Sequence, residues 1–143
     1  MVCSQPIQLL PLPWILPTEQ HHGDHAEHLA RDMTEHAVWR VPIVVERCSY
    51  AVMDGHHRLC AAHRLGLAAA PCLLLDYQQV QVQASREGYL VTPAEILRRA
   101  LTGDPYPPKT TRHRFDGPLP LCNISLPVLR ARGAGWAVRP PLP

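Results

Sequence analysis

The stretch "VMDGHHRL", Val52 to Leu59, sets an acid, a glycine, two imidazoles and a guanidinium side by side between an apolar run and a helix-like segment. If a strand ends at Asp54, Gly55 lets the backbone turn sharply. His56, His57 and Arg58 then open a helix whose first N–H groups lack internal acceptors. Such a helix start attracts phosphate or carboxylate. Arg58 adds a planar fork, the histidines add donors, and Asp54 is placed to hold magnesium or to orient a histidine. Taken alone, the same residues equally describe Asp54 as a helix cap with solvated histidines behind it. A second candidate is "PPKTTRHRF", Pro107 to Phe115. There Lys109, Thr110, Thr111, Arg112 and His113 offer five consecutive side chains able to donate to anionic oxygens. A solvated basic tail is the competing description, although such tails usually carry Glu, Ser or Gly between their cations and this one does not. His21, His22, His25 and His28 are spaced so that imidazoles can share a helix face, which raises a metal site. They lie opposite the apolar stripe and contain no His-Glu-x-x-His, as plain polar surface would. Trp14, Trp39 and Trp136 do not interleave with the basic clusters and read as packing residues.

The elements that must position these residues follow from periodicity. Ile7 to Leu16 is apolar but broken by Pro11 and Pro13, which predicts a short edge strand and an extended connection carrying Glu19 just beyond it. From Asp24 to Arg40, Ala26, Leu29, Ala30, Met33 and Ala37 recur at helical spacing, with His25, His28, Asp32, Glu35 and His36 on the other side. Val41–Glu46 and Tyr50–Asp54 read as adjacent strands across a turn. The following helix has the periodic set Leu59, Ala62 and Leu65, with Gly66 at the left-handed cap position. "PCLLLDY" is then a buried strand, and strand, helix, strand predicts a parallel pair with a right-handed crossover. Gln78–Leu90 alternates weakly, as an edge strand or a connection. Thr92 as N-cap, Pro93 at the first helical position, Glu95 closing a capping box and Gly103 as terminator define a helix over Pro93–Leu101. Nine of the sixteen prolines lie from Pro105 onward, so the last forty residues are expected to be mostly extended.

At 143 residues the chain suits one core, and a formal charge of +2 with nine histidines favours small anionic ligands over long polyanions. Five scattered cysteines without a Cys-x-x-Cys pair point to reduced thiols and a cytoplasmic protein. No stretch approaches eighteen apolar residues and the first residues lack the pattern of a signal peptide, so neither a membrane span nor export by that route is expected.

"VMDGHHRLCAAHRLGL" followed by "APCLLLDY" resembles the ParB/sulfiredoxin-like superfamily, whose Gly-x-x-Arg sits at a strand-to-helix turn over nucleotide phosphates. His56 stands where sulfiredoxins carry their catalytic cysteine, and "GHHR" differs from the Gly-Glu-Arg-Arg typical of ParB partition proteins. The free serine kinase branch is similar at three separated places. These are Pro17-Thr18-Glu19, Asp54-Gly55-His56-His57-Arg58, and Pro108-Lys109-Thr110-Thr111-Arg112-His113. The similarity covers roughly 7 to 77 and 91 to 116. The resemblance implies an α/β fold, a small mixed sheet flanked by helices over 1–116, with a proline-rich extended tail over 117–143. It also implies phosphoryl transfer from ADP or ATP, with Mg²⁺, to free L-serine, giving O-phospho-L-serine, which some members supply for siderophore biosynthesis. On that reading Glu19 is the general base, with Asp54 and His57 in the catalytic set and Asp54 the magnesium ligand. Gly55, His56, His57, Arg58, Lys109, Thr110, Thr111, Arg112 and His113 hold phosphates, while Thr111, Arg112 and His113 also bind the serine. One departure stands out: Gln78 to Leu90 is shorter than the corresponding segment of those kinases, which bears on the adenine side of the pocket or on a partner subunit that completes it.

Two other classes are distinguishable. A ParB-like nucleotide-dependent transcriptional regulator would use Arg98, Arg99, Arg112, Arg114, Arg130 and Arg132 on DNA phosphates, but the charge is modest and no helix-turn-helix is apparent. An interaction module built on the proline-rich tail would depend on Arg130–Pro143 and not on Glu19.

Overall fold

The computed structural model describes residues 6–21 and 23–131. Its centre is a four-stranded sheet in the order β1 (Ile7–Pro11), β5 (Ala69–Leu75), β3 (Ile43–Glu46), β4 (Val52–Asp54). β1 runs antiparallel to β5 at one edge, β3 and β5 are parallel, and β4 runs antiparallel to β3 at the other edge. Between β1 and β3 the chain forms α1 (Gly23–His36) and the short β2 (Val38–Trp39). After β4 come α2 (His56–Arg64) and, beyond β5, β6 (Val80–Ala84), α3 (Pro93–Thr102), β7 (Thr111–Phe115), β8 (Ile124–Ser125) and α4 (Leu126–Arg130).

β3 is apolar without alternation because both of its faces are covered. Ile43 and Val45 join a cluster with Met33, Trp39, Leu59 and Leu129, whereas Val44 joins Met53, Leu73, Leu75 and Val80 on the opposite side. Helices α1, α2 and α4 cover the first face. Phe115 of β7 and Val80 of β6, from an antiparallel ribbon running Val80↔Phe115 to Ala84↔Thr111, cover the second. The sheet is thus a middle layer, and its β4 end opens toward both coverings.

Three expectations change. The first helix ends at His36 instead of continuing to Arg40. Ala37 is exposed and takes φ 55°, and Val38–Trp39 pairs with β8, so a β-branched and an aromatic residue leave the helix for a ladder. The parallel partner of β5 is β3, not the strand immediately before α2, because β4 has already turned back antiparallel on β3. Of the two alternatives for Gln78–Leu90 the strand holds: a 3-10 turn, Tyr77–Gln79, leads into β6. At α3, Thr92 accepts from the Glu95 N–H at 3.2 Å and Gly103 closes the helix at φ 70°. The Glu95 carboxylate does not complete a capping box; it takes two bonds from Arg98 and one from Arg99.

Residues from 117 to 131 run back over the first face: the Cys122 N–H donates to Arg40 O, the Ala68 N–H donates to Leu129 O, and Leu126 and Leu129 are buried with Trp39. Residues 132–143, with Arg132 and Trp136, lie outside the described residues, as do Cys3 and His22. Cys48, Cys60, Cys72 and Cys122 are free thiols. Among the described residues no helix is long and apolar enough to cross a membrane.

Candidate active site

Glu19 sits on a connection that runs as an extra, irregular strand. Leu16 bridges Ala51 and Glu19 bridges Tyr106, both in parallel sense. The Gln20 N–H donates to Tyr106 O and the Tyr106 N–H to Thr18 O, stitching the segment to the chain that leads into β7. Tyr106 is itself fully buried, donates its hydroxyl to Leu90 O at 2.6 Å and lies 4.2 Å beneath the Arg99 guanidinium, so α3 anchors this junction. The Glu19 carboxylate then reaches the third segment. Oε1 accepts the Thr110 N–H at 2.7 Å and Oε2 accepts the Thr111 hydroxyl at 2.8 Å. A carboxylate has about four lone-pair sites, so two remain for a ligand.

Across the cavity, Gly55 takes φ 117°, a conformation that an L side chain rarely adopts, and begins α2. A Cβ there would meet Ile43 Cγ2 at 3.2 Å and Arg58 Nη2 at 3.1 Å, so glycine is required by space as well as by dihedral. Arg58 is largely buried; its Nη2 donates to Pro42 O at 3.4 Å and faces Asp54 at 3.6 Å, while its Nε is buried with no hydrogen-bond partner among the described residues. Asp54 is half exposed. His56, placed in the phosphate-binding set by resemblance, uses Nε2 to accept the N–H groups of both Thr18 (3.0 Å) and Glu19 (3.1 Å). Nε2 is therefore unprotonated and the proton is on Nδ1. Burial, with His113, His21 and His57 nearby, lowers the His56 pKa to about 3 and keeps it neutral. The start of α2 thus positions the segment that carries Glu19.

On β7 the side chains alternate. Thr111, His113 and Phe115 face inward, and Arg112 and Arg114 are exposed on the outer face. His113 Nε2 lies 2.9 Å from the Tyr77 hydroxyl, and burial lowers its pKa to about 4 against a smaller opposing effect of Asp54. Lys109, held at φ 59°, lines the cavity, whereas the Thr110 side chain is buried and donates to Pro107 O.

The result is a cavity of about 440 Å³ onto which Glu19, Asp54, Gly55, Arg58, Lys109 and Thr111 all open. His56, His57 and His113 line it as well. Of the residues named from sequence, the Arg112 side chain points away from it and that of Thr110 is spent on the backbone. His21 and His25, read from sequence only as metal or surface candidates, pack instead against His57, with ring centroids 5.8 and 4.4 Å away, and line the same cavity. Among the described residues the one cluster with metal-ligand spacing is Asp32, Glu35 and His36, all exposed. Sequence reasoning also missed Tyr77, which looked like the end of a buried strand. Its link to His113 exists only because β6 pairs with β7, and no local pattern announces that.

No family model matches the chain. A ParB-like protein of Sulfolobus acidocaldarius is 35% identical over 57 residues, 40% of this chain, and the match spans only 29% of that relative. Among solved structures, a free serine kinase in complex with AMP superposes with a TM-score of 0.79, covering 88% of this chain and 96% of that one at 15% identity. A glutamate-to-alanine mutant of a free serine kinase in complex with ADP gives 0.78, also at 15% identity. SbnI with a C-terminal truncation, from Staphylococcus aureus, gives 0.77 at 13% identity, covering 87% of this chain and 89% of that one.

The chain has the fold of the free serine kinases. SbnI shares that fold, which is what brings the three sequence segments onto one cavity.

Proposed function

We propose that the protein is a cytoplasmic kinase that transfers a phosphoryl group from ADP or ATP to the hydroxyl of free L-serine, giving O-phospho-L-serine. The observation that carries this reading is the Glu19 carboxylate, clamped by Thr110 N–H and Thr111 hydroxyl at a cavity whose other wall is the start of α2 with Arg58. Phosphoryl transfer asks a protein mainly for alignment and charge neutralisation, together with a base for the acceptor proton. Glu19 is that base, taking the serine hydroxyl proton as the serine oxygen attacks the terminal phosphorus and the bond from that phosphorus to the bridging oxygen breaks, releasing AMP or ADP. The amide groups at Gly55–His57 and the Arg58 guanidinium hold phosphate oxygens, and Lys109 adds charge from the facing loop. Thr111 and His113 meet the serine carboxylate or the transferred group.

Asp54 is half exposed on the cavity, with a weak Arg58 contact as its one ion pair among the described residues, which suits a magnesium ion bound through one carboxylate, waters and substrate phosphates. Such an ion would neutralise phosphate charge. Of the arginines the DNA-binding alternative would use, Arg98 and Arg99 are tied to Glu95 and Asp104, while Arg112 and Arg114 stand exposed on the outer face of β7, away from the cavity.

The test is product mass after incubation with L-serine, Mg²⁺ and ADP or ATP. Glu19→Gln keeps both contacts, with its amide oxygen toward Thr110 N–H and its NH₂ toward the Thr111 oxygen. It is expected to fold normally and lose ~10²–10⁴ in rate. Absence of phosphoserine with either nucleotide, while both bind, overturns the catalytic reading.

A further inference from the structure

We propose that Tyr77 is a positioning residue that fixes His113 in one tautomer, so that His113 presents a neutral Nδ1–H donor to anionic oxygen in the cavity. This rests on the kinase reading for the identity of that oxygen, but not for the tautomer itself.

The geometry has three parts. The Tyr77 hydroxyl and His113 Nε2 are 2.9 Å apart, joining the turn after β5 to the middle of β7. The phenol proton has no other acceptor among the described residues, so donation to Nε2 satisfies it, whereas accepting from Nε2–H would leave it unused. Among the described residues Nδ1 has no hydrogen-bond partner and is not one of the buried unpartnered atoms, and His113 lines the cavity, so Nδ1 is open to it. Burial raises the Tyr77 pKa above its ordinary value and lowers that of His113, so phenol and imidazole both stay neutral through the physiological range. His113 lines the same cavity as Asp54 and His56, and a neutral ring adds a donor there without competing for the Asp54 charge. His56 shows the same logic, with Nε2 committed to the protein and the proton left on Nδ1. Two facing walls therefore each supply a tautomer-locked imidazole.

Two oxygens share the required chemistry: a phosphoryl oxygen of the nucleotide and the carboxylate of the amino acid. Nitrogen-15 NMR of the full chain tests the tautomer. The expected result is His113 protonated at Nδ1 in the wild type and redistributed toward Nε2 in Tyr77→Phe. Steady-state kinetics of Tyr77→Phe are expected to show a roughly 5–10-fold rise in KM, for the nucleotide if the oxygen is phosphoryl and for serine if it is the carboxylate. In a His113→Gln background, whose amide donates without a tautomer, Tyr77→Phe should add nothing. A wild-type His113 protonated at Nε2 overturns the proposal, as does an unchanged tautomer in Tyr77→Phe or a KM unchanged for both substrates. If the chain makes no phosphoserine, the NMR result still decides the tautomer, and AMP affinity by calorimetry replaces KM, an affinity unchanged in Tyr77→Phe overturning the donor role.

Discussion

Gly55→Ala isolates what the strand-to-helix turn demands of the backbone. Two terms add. Alanine at φ 117° is held in a region nearly closed to L-residues, which costs about 1–3 kcal/mol. Its Cβ also lies 3.2 Å from Ile43 Cγ2 and 3.3 Å from Ile43 Cα. The second neighbour is backbone of the buried β3 and has no rotamer to give, so an overpacking cost of about 1–3 kcal/mol is expected. Gly103→Ala supplies the control. That glycine is also left-handed, at φ 70°, but nothing lies within 4 Å of a Cβ there, so it carries only the ordinary αL cost of about 1–2 kcal/mol. Thermal unfolding of both variants separates the terms. At roughly 3 °C per kcal/mol for a chain of this size, Gly55→Ala should lower Tm by about 6–18 °C and Gly103→Ala by about 3–6 °C. Equal shifts would refute the close approach to β3, and a Gly55→Ala shift under 2 °C would refute the turn geometry altogether.

His56 and His113 make stability acid-sensitive: both are neutral in the fold, with pKa values near 3 and 4 against an ordinary 6.5, so below pH 6.5 the unfolded chain binds more protons. Stability is therefore full above pH 6.5 and falls as pH drops toward 4, by up to roughly 1.4 kcal/mol per pH unit for each histidine; denaturant midpoints between pH 7 and 4.5 measure this, and His113→Gln should flatten the dependence. Leu129→Ala removes a fully buried side chain of α4 and should cost about 2–5 kcal/mol in urea unfolding, as a core residue would and an extended tail residue would not.

The free-serine-kinase fold was legible at its punctuation. Thr92, Pro93 and Gly103 bounded α3 because caps act within four residues of the groups they satisfy. Gly66 likewise ended α2, and the apolar run of "PCLLLDY" announced the buried strand β5. The ends of α1 and the fate of 78–90 were not legible: Val38–Trp39 leaves the helix for β8, some 86 residues away, and Val80–Ala84 is a strand because β7 pairs with it.

By itself the sequence determined which residue types suited to an anion the chain carries: a glycine turn before a helix, an arginine at its start, a lysine and threonine run, and an acid near the beginning. Tertiary structure alone decided their roles. Glu19 and Thr111 are 92 positions apart yet hydrogen-bonded, Arg112 is turned outward by strand alternation, and His56 spends its lone pair on the Thr18–Glu19 backbone. Local chemistry is written in neighbouring residues, whereas which lone pair or proton remains for a ligand depends on what distant segments have already taken.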